Sequence, residues 1–422
     1  VETIMEAVRL MEAQHAEKAV ELLDNYLPMA DDEERYTIAE LYLQWGYLHE
    51  AKAIFQDLMH QFPAEGELKV ALANIYTELD DDEAAIQLLN DIDEEDPAYL
   101  QTLIQLADLY QAQGLFEVSE QKLLMAKRFD PNEPIIDFAL GELYFSTADY
   151  VKATTYYENI LPKTKEIAHV SITDRLAEAY AETGEFELAL TYYQDEDSKN
   201  PDTLFKYGFT AYQTGRKDIA RKAWEHVMEI DMYYHTVYYH LASLYEEEGV
   251  YEKAYEISQK GLHVDAFNKD LFLLAGKIAH QLGEDEKSEQ HVREAIAMDP
   301  DFKEAVLFLI ELLKNNADFK GIVDLVSEIM NTGAEDPLYN WELARAYNEL
   351  EVYNDALKHY QTAYNNLKDD SDFLKEYGYF LTEEGRIKEA IPVFTAYLEQ
   401  QPIDDEVNEF LFRLKQSDRE EP

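Results

Sequence analysis

Twelve residues spaced at a near-constant interval constrain this chain more than any other feature. Ala19, Ala51, Ala85, Ser119, Ala153, Ala189, Ala220, Ala254, Ser288, Ile322, Ala356 and Ala390 form a ladder, and eight of its eleven intervals are 34 residues. A period of this length sustained from end to end is the mark of one supersecondary unit repeated, not of several unrelated domains. Nine residues before seven rungs stands a tyrosine (Tyr42, Tyr76, Tyr110, Tyr144, Tyr180, Tyr245, Tyr347), and twelve residues after six stands a proline (Pro63, Pro97, Pro131, Pro201, Pro300, Pro402).

Within a unit, apolar residues recur at helical spacing, pause at a short turn, recur again and stop at proline, so each unit reads as helix, turn, helix. Ile38 and Tyr42 share a face of one helix, while Ala51, Phe55 and Leu58 share a face of the next. The small residues Ala39 and Ala51 allow the two helices to approach closely. Gly46, Gly114, Gly184, Gly215, Gly249, Gly283 and Gly385 stand where a left-handed cap ends the first helix. Since no unit can bury both faces alone, the units must stack.

The chain resembles the tetratricopeptide repeat family. Leu106-Ala107-Tyr110-Gly114-Ser119-Pro131 and Leu176-Ala177-Tyr180-Gly184-Ala189-Pro201 follow that family's pattern, and Tyr377-Gly378-Gly385-Ala390-Phe394-Pro402 is nearly complete. The resemblance implies an all-α fold, a right-handed superhelical α-solenoid of about twelve helix-turn-helix repeats. A single solenoid over 1–416 is expected, with an irregular first repeat or cap at 1–31. A C-terminal capping helix is expected at 404–416, carrying Val407, Phe410, Leu411 and Leu414 on one side, and then a disordered tail at 417–422. Weaker packing is expected near 195–201, where Asp195–Asn200 offers little to bury, and near 315–321, in the degenerate unit around Ile322.

Charge narrows the function. The 88 acidic residues outnumber 36 basic ones, giving a formal net charge of −52. That balance disfavours partners bound by phosphate neutralisation, so neither nucleic acid nor an anionic membrane is expected, and RNA-reading helical repeats of similar length are set aside. Two readings of the acid stand side by side: it is spread over solvated helix faces for solubility, or part of it selects basic partners. No stretch reaches the ~18–20 apolar residues of a membrane span. The opening residues, Val1–Glu6, lack the basic and then apolar run of a secretory signal, and a cytoplasmic location is expected. With no cysteine, thiolate metal sites and a cysteine nucleophile are excluded. His235 and His240 lie five apart, on different helix faces, and no zinc spacing occurs. The runs Asp80–Glu83 and Asp93–Asp96 lack the ligand alternation and glycine of a calcium loop. No phosphate loop or nucleophile elbow is present. No cofactor, no metal and no enzymatic activity are expected.

In the first helix of each unit, the position two before the tyrosine and its helical neighbours point away from the partner helix. In the resembled family this face lines an inner groove. Here it holds Tyr36 and Glu40, then Asp108, then Phe138, Glu142 and Phe145, then Asp174 and Glu178. Phe205, Phe209 and Tyr212 follow, then Tyr239, Lys277, Trp341 with Arg345, and Tyr379 beside Lys375. Aromatics gather in the middle, carboxylates dominate the first half, and Lys277, Arg345 and Lys375 enter only in the second. Such a face suits a protein or peptide partner of basic character, held by aromatic anchors and oriented by charge. The expectation is a non-catalytic protein–protein interaction scaffold. The alternatives are a self-assembling structural protein and a helical regulatory subunit of an enzyme; a homo-oligomer is not predicted.

Overall fold

The computed structural model describes residues 2–193, 200–334 and 336–420, with side chains in the last helix described through residue 417. Twenty-five α-helices and a single two-residue-stranded hairpin make up its regular structure among the described residues, apart from one 3₁₀ turn (Leu27–Met29). The fold is an all-α repeat solenoid. Residue contacts group the chain into two compact units, 1–198 with 209–216, and 199–208 with 217–422, where the period alone leads to one continuous run over 1–416. The division falls at the 31-residue interval.

The first unit is built of hairpins α1–α2 (Glu2–Glu12, Ala16–Tyr26), α3–α4 (Asp32–Gln44, Leu48–Gln61), α5–α6 (Gly66–Glu78, Asp82–Asn90), α7–α8 (Tyr99–Ala112, Phe116–Phe129), α9–α10 (Pro134–Ser146, Tyr150–Ile160) and α11–α12 (Ile172–Glu182, Phe186–Tyr192). The 36-residue interval accommodates a β-hairpin, β1 (Glu166–Ile167) with β2 (Val170–Ser171), between α10 and α11. Helix α13 (Pro201–Gln213) lies at the division. The second unit continues with α14 (Lys217–Ile230), then α15–α16 (His235–Glu247, Tyr251–Val264), α17–α18 (Lys269–Gln281, Asp285–Met298), α19–α20 (Lys303–Asn315, Phe319–Asn331), α21–α22 (Pro337–Glu349, Tyr353–Leu367), α23–α24 (Ser371–Glu383, Ile387–Gln400) and α25 (Asp405–Glu420).

All twelve rungs of the ladder are buried to 1% exposure or less, which explains why eleven of them are alanine or serine. The opposing helix answers in size. In three units the large ring four after the rung, Tyr157, Trp224 or Phe394, faces a glycine, Gly141, Gly208 or Gly378 respectively. A methyl group at Gly141 would sit 2.5 Å from the Tyr157 ring, a distance close packing forbids.

The turn between the two helices has one conformation throughout. Gly46 adopts φ 83°, and Asp80, Ala148, Ala317 and Glu351 take the same left-handed conformation at the equivalent position without being glycine (φ 57–60°). The turn closes in the same way in both cases, with Tyr47 N donating to Tyr42 O and Asp149 N donating to Tyr144 O, each at 2.8 Å. The backbone geometry is therefore set by stacking, and glycine relieves its cost where present.

Two expectations about local packing need revision, and a third falls outside the described residues. The helices around Ile322 are not thinly packed, since Leu309, Ile310, Leu313, Ile322, Leu325, Val326 and Ile329 are buried in one continuous apolar cluster, while the stretch 315–321 between them is exposed apart from the half-buried Phe319 and Gly321. Branched aliphatics fill the space that tyrosine and alanine fill elsewhere. Helix α25 runs on to Glu420, four residues into the stretch 417–422 expected as tail; residues 421 and 422 are not among those described. The segment 195–199, expected to pack weakly, also lies outside the described residues, whereas Pro201 already opens α13.

Candidate functional site

The first-helix face singled out from the sequence is where neighbouring repeats join. The position two before the tyrosine in one repeat meets the position five before it in the next. In the first unit Glu142 of α9 accepts from Arg175 of α11, Nε to Oε1 at 2.8 Å and an Nη donor to Oε2 at 3.0 Å. Tyr157 of α10 donates its hydroxyl to the same carboxylate at 2.6 Å, and Arg175 reaches Glu178 at 3.3 Å and lies over the Phe145 ring at 5.0 Å. In the second unit the same register holds Arg345 of α21 against Glu376 of α23, with the charges exchanged. Tyr360 donates to Glu376 at 2.8 Å, Arg345 also holds Glu342, and its guanidinium lies 4.0 Å from the Trp341 ring centroid. A neutral version joins Gln105 to Asn74 at 2.7 Å. Burial pushes the Glu376 carboxyl up, but Arg345 and the Trp341 and Tyr360 donors outweigh it and hold it below its ordinary value.

This arrangement assigns many of the expected groove residues to packing. Trp341 is buried, its ring set edge-on to Phe373 and its Nε1 donating to Glu376, so it is a core residue and not an open wall. Phe205 is half-buried among Trp224, Tyr234 and His240, with ring centroids 5.3–6.3 Å away. Tyr379 packs on Phe394 and on Phe410 of the capping helix. Phe138 leans on the cluster around Leu140, and Phe145 meets Tyr150 edge-on. Glu142, Glu178 and Arg345 are engaged as above. Lys277 is paired with Glu304, and Lys375 with Asp404, which removes the basic cluster around Arg345 as a free anion grip. Asp174 and Tyr212 are half-buried.

Glu40 and Asp108 are exposed on this face, and the rings of Phe209 (38%) and Tyr239 (37%) are partly so. Desolvation raises the Asp108 carboxyl pKa although the residue is exposed. Tyr36, half-buried and edge-on to Phe55, has its hydroxyl pKa raised by burial and by the carboxylates of Glu40 and Glu67. It lines a cleft of about 410 Å³ with Asp32, Glu33, Leu58, Phe62, Glu65 and Glu67. Phe62 and Glu65 lie outside the face read from the sequence because they follow a second helix, whereas Glu67 stands in the first turn of a first helix, α5. One signal was present: Phe62 precedes Pro63 where Asp96, Asp130, Asn200 and Asp299 precede the equivalent prolines.

Models of known families match along the chain. Residues 111–164 match "YpiA-like, tetratricopeptide repeats", 337–404 match "YpiA-like, C-terminal tetratricopeptide repeats", and 235–268 and 270–302 match single tetratricopeptide repeats. The TPR repeat-containing protein YpiA of Bacillus subtilis (strain 168) is 42% identical over 414 residues, covering 98% of this chain and 98% of its own. The chain belongs to the tetratricopeptide repeat family. Residues 1–113 match the ARM repeat of tetratricopeptide repeat protein 21, and tetratricopeptide repeat protein 21B of Xenopus laevis is 28% identical over 37% of this chain and 12% of its own length. Among solved structures, the APC/C hetero-tetramer Cut9–Hcn1 covers 97% of this chain and 95% of its own at 12% identity, with a TM-score of 0.36. YrrB, described as a TPR protein with an unusual peptide-binding site, covers 43% of this chain and 95% of its own at 16% identity, with a TM-score of 0.39.

Tetratricopeptide repeats in general mediate protein–protein interaction. Among the described residues of this member, no group of three or more His, Asp or Glu is placed to hold a metal ion, and no helix is long and apolar enough to cross a membrane.

Proposed function

We propose that this tetratricopeptide repeat protein is a non-catalytic scaffold that holds a basic segment of a partner protein against the acidic first-helix face of its first unit. The observation that carries the reading is the concentration of unbalanced acid in the first hundred residues, to which that face belongs. Residues 1–100 contain 25 acidic against 5 basic side chains, a net −20 out of −52 for the whole chain. Asp108 extends the same face without an ion-pair partner among the described residues. Preformed helices lose little conformational entropy on binding, and clustered carboxylates raise the encounter rate of a cationic segment. The bases of the second unit do not compete for the role, because Lys277, Arg345 and Lys375 are each already held by a carboxylate.

The test is binding of a fluorescein-labelled peptide alternating arginine and leucine, followed by anisotropy against its glutamate–leucine counterpart. The arginine peptide is expected to bind, with affinity falling as salt is raised from 50 to 500 mM. Equal binding of the two peptides, or binding indifferent to salt, rejects the proposal.

A further inference from the structure

Resting on that reading, we infer that the cleft between α3, the end of α4 and the start of α5 is a socket for a single arginine or lysine side chain flanked by an apolar residue of the partner. Its floor is apolar, made by the buried Leu58 and Leu68. Two rings wall it: Tyr36, half-buried, and Phe62, 44% exposed just past the last turn of α4. An aromatic face that open to solvent beside a cleft is the surface a cation and its aliphatic stem prefer.

The rim selects the charge of the occupant. Asp32, Glu33, Glu65 and Glu67 all line the cleft, and no basic residue does. Three of these acids have no cation partner among the described residues. Asp32 sees only Arg35 at 3.8 Å, and Arg35 is itself held by Asp57. Acids near a helix start commonly serve the helix, by capping or by complementing its dipole. Glu65 does not cap: it stands at the N-cap position of α5 and accepts no backbone hydrogen bond there. An apolar floor, two ring walls and an anionic rim short of cations together fit a long cationic side chain lying along the cleft, its aliphatic stem against the rings and its head at the carboxylates. A purely apolar side chain would leave the rim unpaired, and an acidic one would be repelled.

The experiment measures affinity of the full chain for the labelled arginine–leucine peptide in three surface variants. F62A removes a ring wall, and the double variant E65Q/E67Q removes two rim charges. The double variant E252Q/E286Q removes two exposed charges from the second unit and serves as the matched control. Circular dichroism verifies that all three retain the wild-type helical signal. The expected result is a loss of about tenfold for F62A and for E65Q/E67Q, against less than about twofold for E252Q/E286Q. If the wild-type chain binds the peptide and the cleft variants bind equally well, the socket is overturned while the broader reading stands. If the wild-type chain does not prefer the arginine peptide to the glutamate one, the broader reading falls and the socket with it.

Discussion

Arg175 and Glu142, thirty-three positions apart, join consecutive repeats through two N–H···O bonds of 2.8 and 3.0 Å, and the chain repeats the same join at Arg345 and Glu376 with acid and base exchanged. The register thus tolerates either polarity, and a neutral pair as well in Gln105 and Asn74. The first prediction follows. R175E alone places two carboxylates face to face in a half-buried setting and costs about 2–3 kcal/mol. The double variant E142R/R175E recovers part of that loss, short of all of it because Glu178 then faces a like charge. Urea unfolding monitored by circular dichroism measures both; a double variant no more stable than R175E would refute the exchange.

At the turns, Ala148 and Ala317 carry a conformation glycine adopts more cheaply. A148G and A317G should each stabilise the chain by about 0.5–1 kcal/mol, whereas G249A should destabilise it by at least as much. Thermal unfolding of the three variants checks the sign. A lower midpoint for A317G would mean that its side chain contributes more than its backbone costs.

Much of this was legible in the sequence. The period placed the helices because eleven of the twelve rungs are small enough to let two helices meet, and the turn glycines marked where the first helix stops. The inner face was legible as positions but not as roles. Glu142, Arg345 and Lys277 read as free charges, since an ion pair 27 to 33 residues apart leaves no local pattern. Trp341 read as a wall, because only the three-dimensional neighbourhood of Phe373 and Glu376 turns it inward. Around Ile322 the missing tyrosine suggested weakness, yet aliphatic volume replaced it.

Stability should fall at both extremes of pH. Burial, with a hydrogen bond to Glu225, pushes the Tyr245 phenol up to about 12, and Tyr339 and Tyr377 are likewise raised to about 12 by burial. Unfolded tyrosine gives up its proton near 10, so between about pH 10 and 12 the unfolded state binds fewer protons and stability declines as pH rises. Asp404 behaves in the opposite sense. Lys375, Tyr397 and the Val407 amide hold its carboxyl down to about 2, so the stability it contributes is present above about pH 4 and is lost as pH falls towards 2. Because those partners tie the start of α25 to α23 and α24, D404N should remove the acid-side dependence of amide protection in α25. Hydrogen exchange over 405–417 that keeps the wild-type dependence in D404N would contradict this.

The unbalanced charge also predicts a salt response. With a net −52, self-repulsion opposes compaction, and screening within ~8 Å at physiological ionic strength should raise the melting midpoint as salt increases from 10 to 150 mM. A midpoint that is flat or falls over that range would show that the inter-repeat ion pairs outweigh the repulsion.

The most direct measurement for the central claim is photo-crosslinking of the arginine–leucine peptide, carrying a photoreactive leucine, to the full chain, with the adducts mapped by mass spectrometry. The account predicts adducts concentrated between residues 32 and 68 and around Asp108, suppressed by high salt and absent with the glutamate–leucine peptide. Adducts spread evenly over both units, or formed equally by the acidic peptide, would contradict it.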